Sequence, residues 1–272
     1  MKLAFSTLGV PGMPMSEVAA LAQTCGFQGV ELRAHPEEPV HPGIGAKERA
    51  EVVETFAAAG VEILTVAGYA KVAAEGEDGP VLEEVRGLLE LARDLGARYV
   101  RVFPGAGEDV GGGDERAARR LGAAAESADE YGVRILLETH DSHRTGVDAA
   151  RVVAAVGHKN VGVLWDVMHT WLGGEDPVTS YGVLAPHLGY VQVKDIASAD
   201  VTTPLALGSG VLPLDECLAQ LGGSDAAPGT AGADDDVWVC WEYEKRWYPE
   251  AAELPGLLVA GREFLALRAP AA

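Results

Sequence analysis

The sequence predicts a single α/β domain folded as a (β/α)8 barrel with parallel strands. Three observations point there: eight short runs rich in apolar residues, helical patterns between them, and a length of 272 residues, near the ~250 typical of this architecture. The runs are "KLAFST" (2–7), "GVELR" (29–33), "VEILTV" (61–66), "YVRVF" (99–103), "RILLET" (134–139), "VGVLWD" (161–166), "GYVQVKD" (189–195) and "VWVCWE" (237–242). Their near-continuous apolar character suits parallel strands covered on both faces. A doubly wound open sheet is the competing topology, and the strand count favours closure.

The intervening segments read as helices with recognisable ends. "SEVAALAQTCG" opens at Ser16 as an expected N-cap, sets Val18, Leu21, Ala22 and Cys25 on one face and stops at Gly26. "GPVLEEVRGLLELARDLG" has Pro80 near its start, a Leu82/Val85/Leu89/Ala92 stripe and Gly96 at its end. A third such segment runs from Asp114 to Gly132, behind "GAGEDVGGGD" (105–114), which reads as a lid after the fourth strand. "GGSDAAPGTAGADDD" (222–236) has no periodicity and reads as a flexible loop before the last strand, at the N-terminal face of one TIM-barrel domain spanning 1–272.

Composition narrows the function. A formal net charge of −20, from 41 acids against 21 bases, repels phosphate backbones and anionic membranes, so nucleic acid and membrane partners are not expected. Cys25, Cys217 and Cys240 are odd in number and show no CxxC spacing, which suits a reducing cytoplasm. The N-terminal "MKLAFSTLGVPGMPMSEVAALA" lacks a sustained apolar core, and no stretch reaches the ~20 apolar residues of a membrane span. The expectation is a soluble, cytoplasmic protein, with homo-oligomerisation left open.

In such a barrel the active site forms at the C-terminal strand ends, so a polar residue closing an apolar run points into the mouth. Glu138, Asp166, Gln192 and Glu242 all stand there, at expected similar heights on four successive strands. Neighbouring strands are ~4.8 Å apart, and carboxylates so close repel unless a cation sits among them. An all-oxygen set suits Mn²⁺ or Mg²⁺ better than the Cys/His environments that zinc prefers, with Mn²⁺ the first expectation and Co²⁺ as a substitute.

The segments "LLETHDSHRTG", "VGVLWDVMHT", "YVQVKD" and "VWVCWEYEKRWYPE" resemble, in order and spacing, the sugar phosphate isomerase/epimerase family, whose xylose-isomerase-like barrels belong with the AP endonuclease family 2 group. That resemblance implies a divalent metal held by Glu138, Asp166, Gln192 and Glu242, with Gln192 where a His is commoner, as is similar in the hydroxypyruvate isomerase branch. It further implies that Glu138 and Glu242 flank the reacting carbon as catalytic acid and base. Gly208-Ser209-Gly210 replaces the family's frequent Gly-Glu-Gly.

The implied activity is isomerisation or epimerisation of a sugar, keto-sugar or cyclitol through an enediolate. A lyase or dehydratase acting on an inosose or oxidised glycoside is the alternative, and a metal-dependent DNA-repair endonuclease is disfavoured by the acidic surface and only seven His. His169, three residues after Asp166, and His140, sharing parity with Glu138, are candidate substrate contacts. Lys194 shares parity with Gln192 and meets either substrate or a carboxylate. Glu31 is either a substrate contact or the partner of Arg33 or Arg101.

Overall fold

The computed structural model describes residues 1–222 and 237–268. Of the expected loop 222–236, all but the first residue therefore lies outside the described residues. The elements are β1 (Lys2–Ser6), α1 (Met15–Cys25), β2 (Gly29–Arg33), α2 (Ala46–Ala59), β3 (Glu62–Lys71), α3 (Asp78–Leu95), β4 (Tyr99–Phe103), α4 (Val110–Tyr131), β5 (Arg134–Glu138), α5 (Gly146–Val156), β6 (Val161–Asp166), α6 (Val167–Leu172), α7 (Pro177–Leu184), β7 (Leu188–Val193), β8 (Ile196–Ser198), β9 (Val201–Pro204), α8 (Leu214–Gln220), β10 (Trp238–Trp241) and α9 (Leu258–Ala266). Eight strands close in the order β1-β10-β7-β6-β5-β4-β3-β2, while β8 and β9 form a separate antiparallel pair. Every predicted strand is present in this (β/α)8 barrel.

Alternation along the strands explains why the runs read as almost wholly apolar. Ala4, Leu64, Tyr99, Leu136, Leu164, Tyr190, Trp238 and Cys240 form one buried cluster inside the barrel. Their strand neighbours Phe5, Val100, Ile135, Leu137, Val163, Val191 and Val239 belong to the larger core between strands and helices. Each strand thus buries both faces.

Gly261 of α9 marks a tight seam in that outer layer, because a Cβ there would lie 2.1 Å from the Trp241 ring of β10. Gly261→Ala is therefore expected to destabilise the protein by ~1–3 kcal/mol through overpacking. At Gly79, where an added Cβ meets nothing within 4 Å, Ala should be neutral or stabilise by up to ~1 kcal/mol. Chemical denaturation of the two variants checks the contrast.

Three helix ends follow the sequence. Gly26, Gly96 and Gly132 close α1, α3 and α4 with φ of 76°, 69° and 67°, the left-handed region that favours glycine. Two starts do not. Pro14, with φ −56°, is the N-cap of α1, and Ser16 lies inside the helix with no capping role. The ring-fixed φ of proline starts the helix without a side-chain acceptor. Helix α4 begins four residues before Asp114, at Val110, because the Asp109 carboxylate accepts from Gly112 N at 3.1 Å and pairs with Arg116 at 2.9 Å. The capped start draws Gly111 to Gly113 into the helix, so half of the expected lid is helical. Cys25, Cys217 and Cys240 are buried and unbridged. Among the described residues no helix is long and apolar enough to cross a membrane.

Candidate active site

Two residues beyond the apolar cluster inside the barrel, the same inward positions turn polar. Tyr99 gives way to Arg101, Leu136 to Glu138, Leu164 to Asp166, Tyr190 to Gln192 and Cys240 to Glu242, and Glu31 joins them from β2. All six are buried, as is Lys194 just past β7. The heights are staggered and not level: Asp166 is in register with Gln192, Glu138 pairs with Leu164, two residues short of Asp166, and Gln192 pairs with Cys240, two residues short of Glu242. Strand tilt in a closed barrel imposes that stagger and still gathers the side chains in the mouth.

The contacts bind the layer together. The Lys194 ammonium lies 2.7 Å from Asp166 Oδ2 and 2.9 Å from Glu244 Oε1, and it also donates to Glu242 Oε2. Arg101 Nε lies 3.2 Å from Glu138 Oε2, an ion pair without hydrogen-bond geometry. Gln192 Nε2 donates to both Glu31 oxygens, at 3.0 and 2.9 Å, and to Glu242 Oε1 at 3.2 Å. Tyr190 donates to Glu31 from below. Arg33, one of the two partners expected for Glu31, instead pairs with Glu38 at 2.6 Å and donates to Tyr69 at 2.7 Å. Its chain neighbour Glu38 is simply nearer.

Asp166 does a second job. As N-cap of α6, its Oδ1 accepts from Met168 N at 2.9 Å and His169 N at 3.2 Å, which places His169 in the first turn beside the mouth. Ligand atoms of Glu138, His140 and His169 all lie within 4.8 Å of one another. The His140 ring stands 4.0 Å from that of His169 and 4.5 Å from Phe103, and Phe103 stands 5.7 Å from Tyr69. Arg101 covers the other part of this wall, 4.0 Å from the Phe103 centroid. Asp141, at φ 35°, approaches His140 Nδ1 at 3.3 Å and is tied to the loop after β4 by Gly105 N at 3.0 Å.

Protonation follows these neighbours. Burial pushes the Glu138 carboxyl well above its ordinary range, with Glu242 and Asp166 adding to the shift and Arg101 opposing it. Burial alone would lower Lys194, but Asp166, Glu242, Glu244 and Glu138 outweigh it and hold the ammonium well above the usual lysine range. Burial, reinforced by His140 and Lys194, drives His169 well below the usual histidine range, so its ring is neutral near pH 7.

The donors fit a divalent cation. Gln192 Oε1 is a buried side-chain oxygen with no hydrogen-bond partner, a costly state for a polar atom without a ligand, and Glu138 Oε2 and Asp166 Oδ2 beside it meet only the ion-pair contacts of Arg101 and Lys194. The layer also gathers five carboxyl groups, of Glu31, Glu138, Asp166, Glu242 and Glu244, around only two cations, Arg101 and Lys194, and burial works against the charged forms of Glu31, Glu138 and Glu244, a cost that a divalent ion would relieve. The Glu138, His140 and His169 group is a second donor set sharing Glu138.

Glu138, Asp166, Gln192, Glu242, Lys194, His140 and His169 are thus brought to one mouth. Sequence reasoning missed Glu244, Tyr69 and Tyr190. Alternation carried two residues past Glu242 was the available signal for Glu244. Of the other aromatics, Trp165 is in the outer core and Trp247 is half-exposed over Arg33. Gly208-Ser209-Gly210 acts through its backbone, since Asp195 Oδ2 accepts from Gly208 N at 2.9 Å and Gly210 N at 2.8 Å, and a Cβ at Gly210 would lie 2.2 Å from that carboxylate.

A barrel whose mouth gathers carboxylates, an amide, two imidazoles and a lysine defines a class of enzymes that work on small polar molecules at their strand ends. The chain belongs to the xylose isomerase-like TIM barrel family, which residues 19–265 match. A curated 3-dehydroshikimate dehydratase of Bacillus anthracis is 25% identical over 194 residues, 68% of each chain. D-psicose 3-epimerase of Clostridium cellulolyticum H10, solved with D-tagatose, superposes with a TM-score of 0.82 at 18% identity and full coverage of both chains. The IOLI protein, solved with a zinc atom, superposes with a TM-score of 0.75 at 19% identity, covering 98% of this chain and 97% of that one.

Proposed function

We propose that this protein is a divalent-metal-dependent isomerase or epimerase of a sugar, keto-sugar or cyclitol, working through proton removal from the carbon next to a carbonyl. The observation that carries this reading is the pair of buried carboxylates, Glu138 on β5 and Glu242 after β10, on opposite flanks of Asp166 and Gln192. One carboxylate removes the proton and the other, in its acid form, delivers one from the opposite side. Glu138, whose proton affinity burial raises, suits either half of that exchange. His169, neutral, and His140 offer ring nitrogens to substrate oxygens, and the Tyr69/Phe103 wall packs against the carbon skeleton.

Glu138, Asp166, Gln192 and Glu242 would hold the ion, which would supply charge stabilisation to an oxygen that gains negative charge as the proton leaves. An oxygen set suits hard cations such as Mn²⁺ and Mg²⁺; Mn²⁺ is our first candidate, Mg²⁺ and Co²⁺ are tested beside it, and zinc belongs in the test because of the IOLI protein. Metal content of the purified protein and of Asp166→Ala tests the assignment. Equal metal in both would sink it.

Dehydration is the second reading, favoured by the 3-dehydroshikimate dehydratase relative and by the raised proton affinity of Glu138, which suits protonation of a departing hydroxyl. A panel of ketoses, inososes and 3-dehydroshikimate, followed by product mass, separates the two. Isomerisation conserves mass and dehydration loses water.

A further inference from the structure

A glutamine offers an oxygen at one end of its amide and a nitrogen at the other, so only one orientation makes Gln192 a ligand. Glu31, fully buried on β2, decides which. A carboxylate only accepts, so the amide end turned towards Glu31 must be the NH2 group. Nε2 donates to Glu31 Oε1 at 3.0 Å and Oε2 at 2.9 Å, and to Glu242 Oε1 at 3.2 Å. The reversed amide would set its oxygen against two carboxylates with no proton between them. In the observed orientation Oε1 is left buried and without a hydrogen-bond partner. The Tyr190 hydroxyl, donating to Glu31 Oε2, holds the acceptor in turn.

We infer that Glu31 is a positioning residue, which fixes the Gln192 amide with its oxygen turned to the cation. The inference rests on the reading that Gln192 ligates a divalent ion. Glu31 touches neither the ion nor the substrate in this scheme, and acts only through the amide it orients. Removing such an orienting partner typically costs 10–100-fold in metal affinity.

The test is Mn²⁺ titration calorimetry on the protein, Glu31→Gln and Glu31→Leu, each with and without Gln192→Ala. Both Glu31 variants lose the charge, but only Glu31→Gln keeps an oxygen that can accept from Gln192. Glu31→Gln should therefore bind Mn²⁺ about 10–100-fold more tightly than Glu31→Leu, and the difference should vanish once Gln192→Ala is present. Should Glu31→Leu fail to fold by circular dichroism, Glu31→Leu with Tyr190→Phe, which leaves no orphaned hydroxyl, replaces it. Equal affinities for the two Glu31 variants, or a difference that survives Gln192→Ala, would overturn the orienting role. A parent protein that binds no Mn²⁺ would sink the metal reading itself, a separate result.

Discussion

Glu138→Gln is expected to lower turnover by ~10²–10⁴-fold, the share of rate that a positioned acid or base usually supplies, while leaving metal bound. Glutamine keeps an oxygen in nearly the same place and removes only the group that takes or gives a proton. The substitution should not unfold the barrel, because burial already works against the charged form of Glu138 and glutamine fills the same volume. Arg101 loses a partner at 3.2 Å but keeps the Phe103 face beneath it. Loss of metal together with activity would reassign Glu138 from proton transfer to ligation alone.

Glu242→Gln refines the same expectation. In deuterated water the product of an epimerase should carry deuterium at the carbon next to the carbonyl. Exchange should disappear in the variant lacking the base that removes the proton and persist in the other. That asymmetry identifies the two roles. Product formed with neither solvent deuterium nor loss of water would rule out a two-base epimerase and leave one-base isomerisation, in which Glu242→Gln stays active if Glu138 is the base.

Much of this mouth was legible because each acid breaks an apolar run at a fixed place. Glu138, Asp166, Gln192 and Glu242 each follow an interior residue by two positions, and period-2 alternation carries the inward face from Leu136, Leu164, Tyr190 and Cys240 up to them. What period cannot give is the partner. Glu31 and Gln192 are 161 residues apart in the chain and meet only because barrel closure brings β2 and β7 round to one centre. Arg33 shares the parity of Glu31, yet it finds Glu38 in the next loop. Helix starts failed for a local reason: Ser16 has the right chemistry for a cap, but Pro14 fixes the backbone two residues earlier.

Lys194→Met should destabilise the metal-free protein by ~3–5 kcal/mol, the usual cost of removing one partner from a buried ion pair. The ammonium is the cation nearest to Asp166, Glu242 and Glu244, all within 2.9 Å of it, and methionine fills its volume without its charge. Because those carboxylates hold its pKa well above the ordinary lysine value, its stabilisation is complete at neutral and mildly alkaline pH. It fades only as the pH climbs past the ordinary lysine range, so the comparison at pH 7 measures the full effect. Against a total stability of ~5–15 kcal/mol, that loss is large enough to read by urea denaturation in EDTA. Added Mn²⁺ should recover much of it, because a divalent ion among the same oxygens neutralises the charge that methionine leaves behind. If the variant is as stable as its parent in EDTA, the carboxylates are already protonated and the charge argument for the metal fails. If it is destabilised but Mn²⁺ restores nothing, Lys194 is indispensable in its own right, and the cation the site was built around is the lysine.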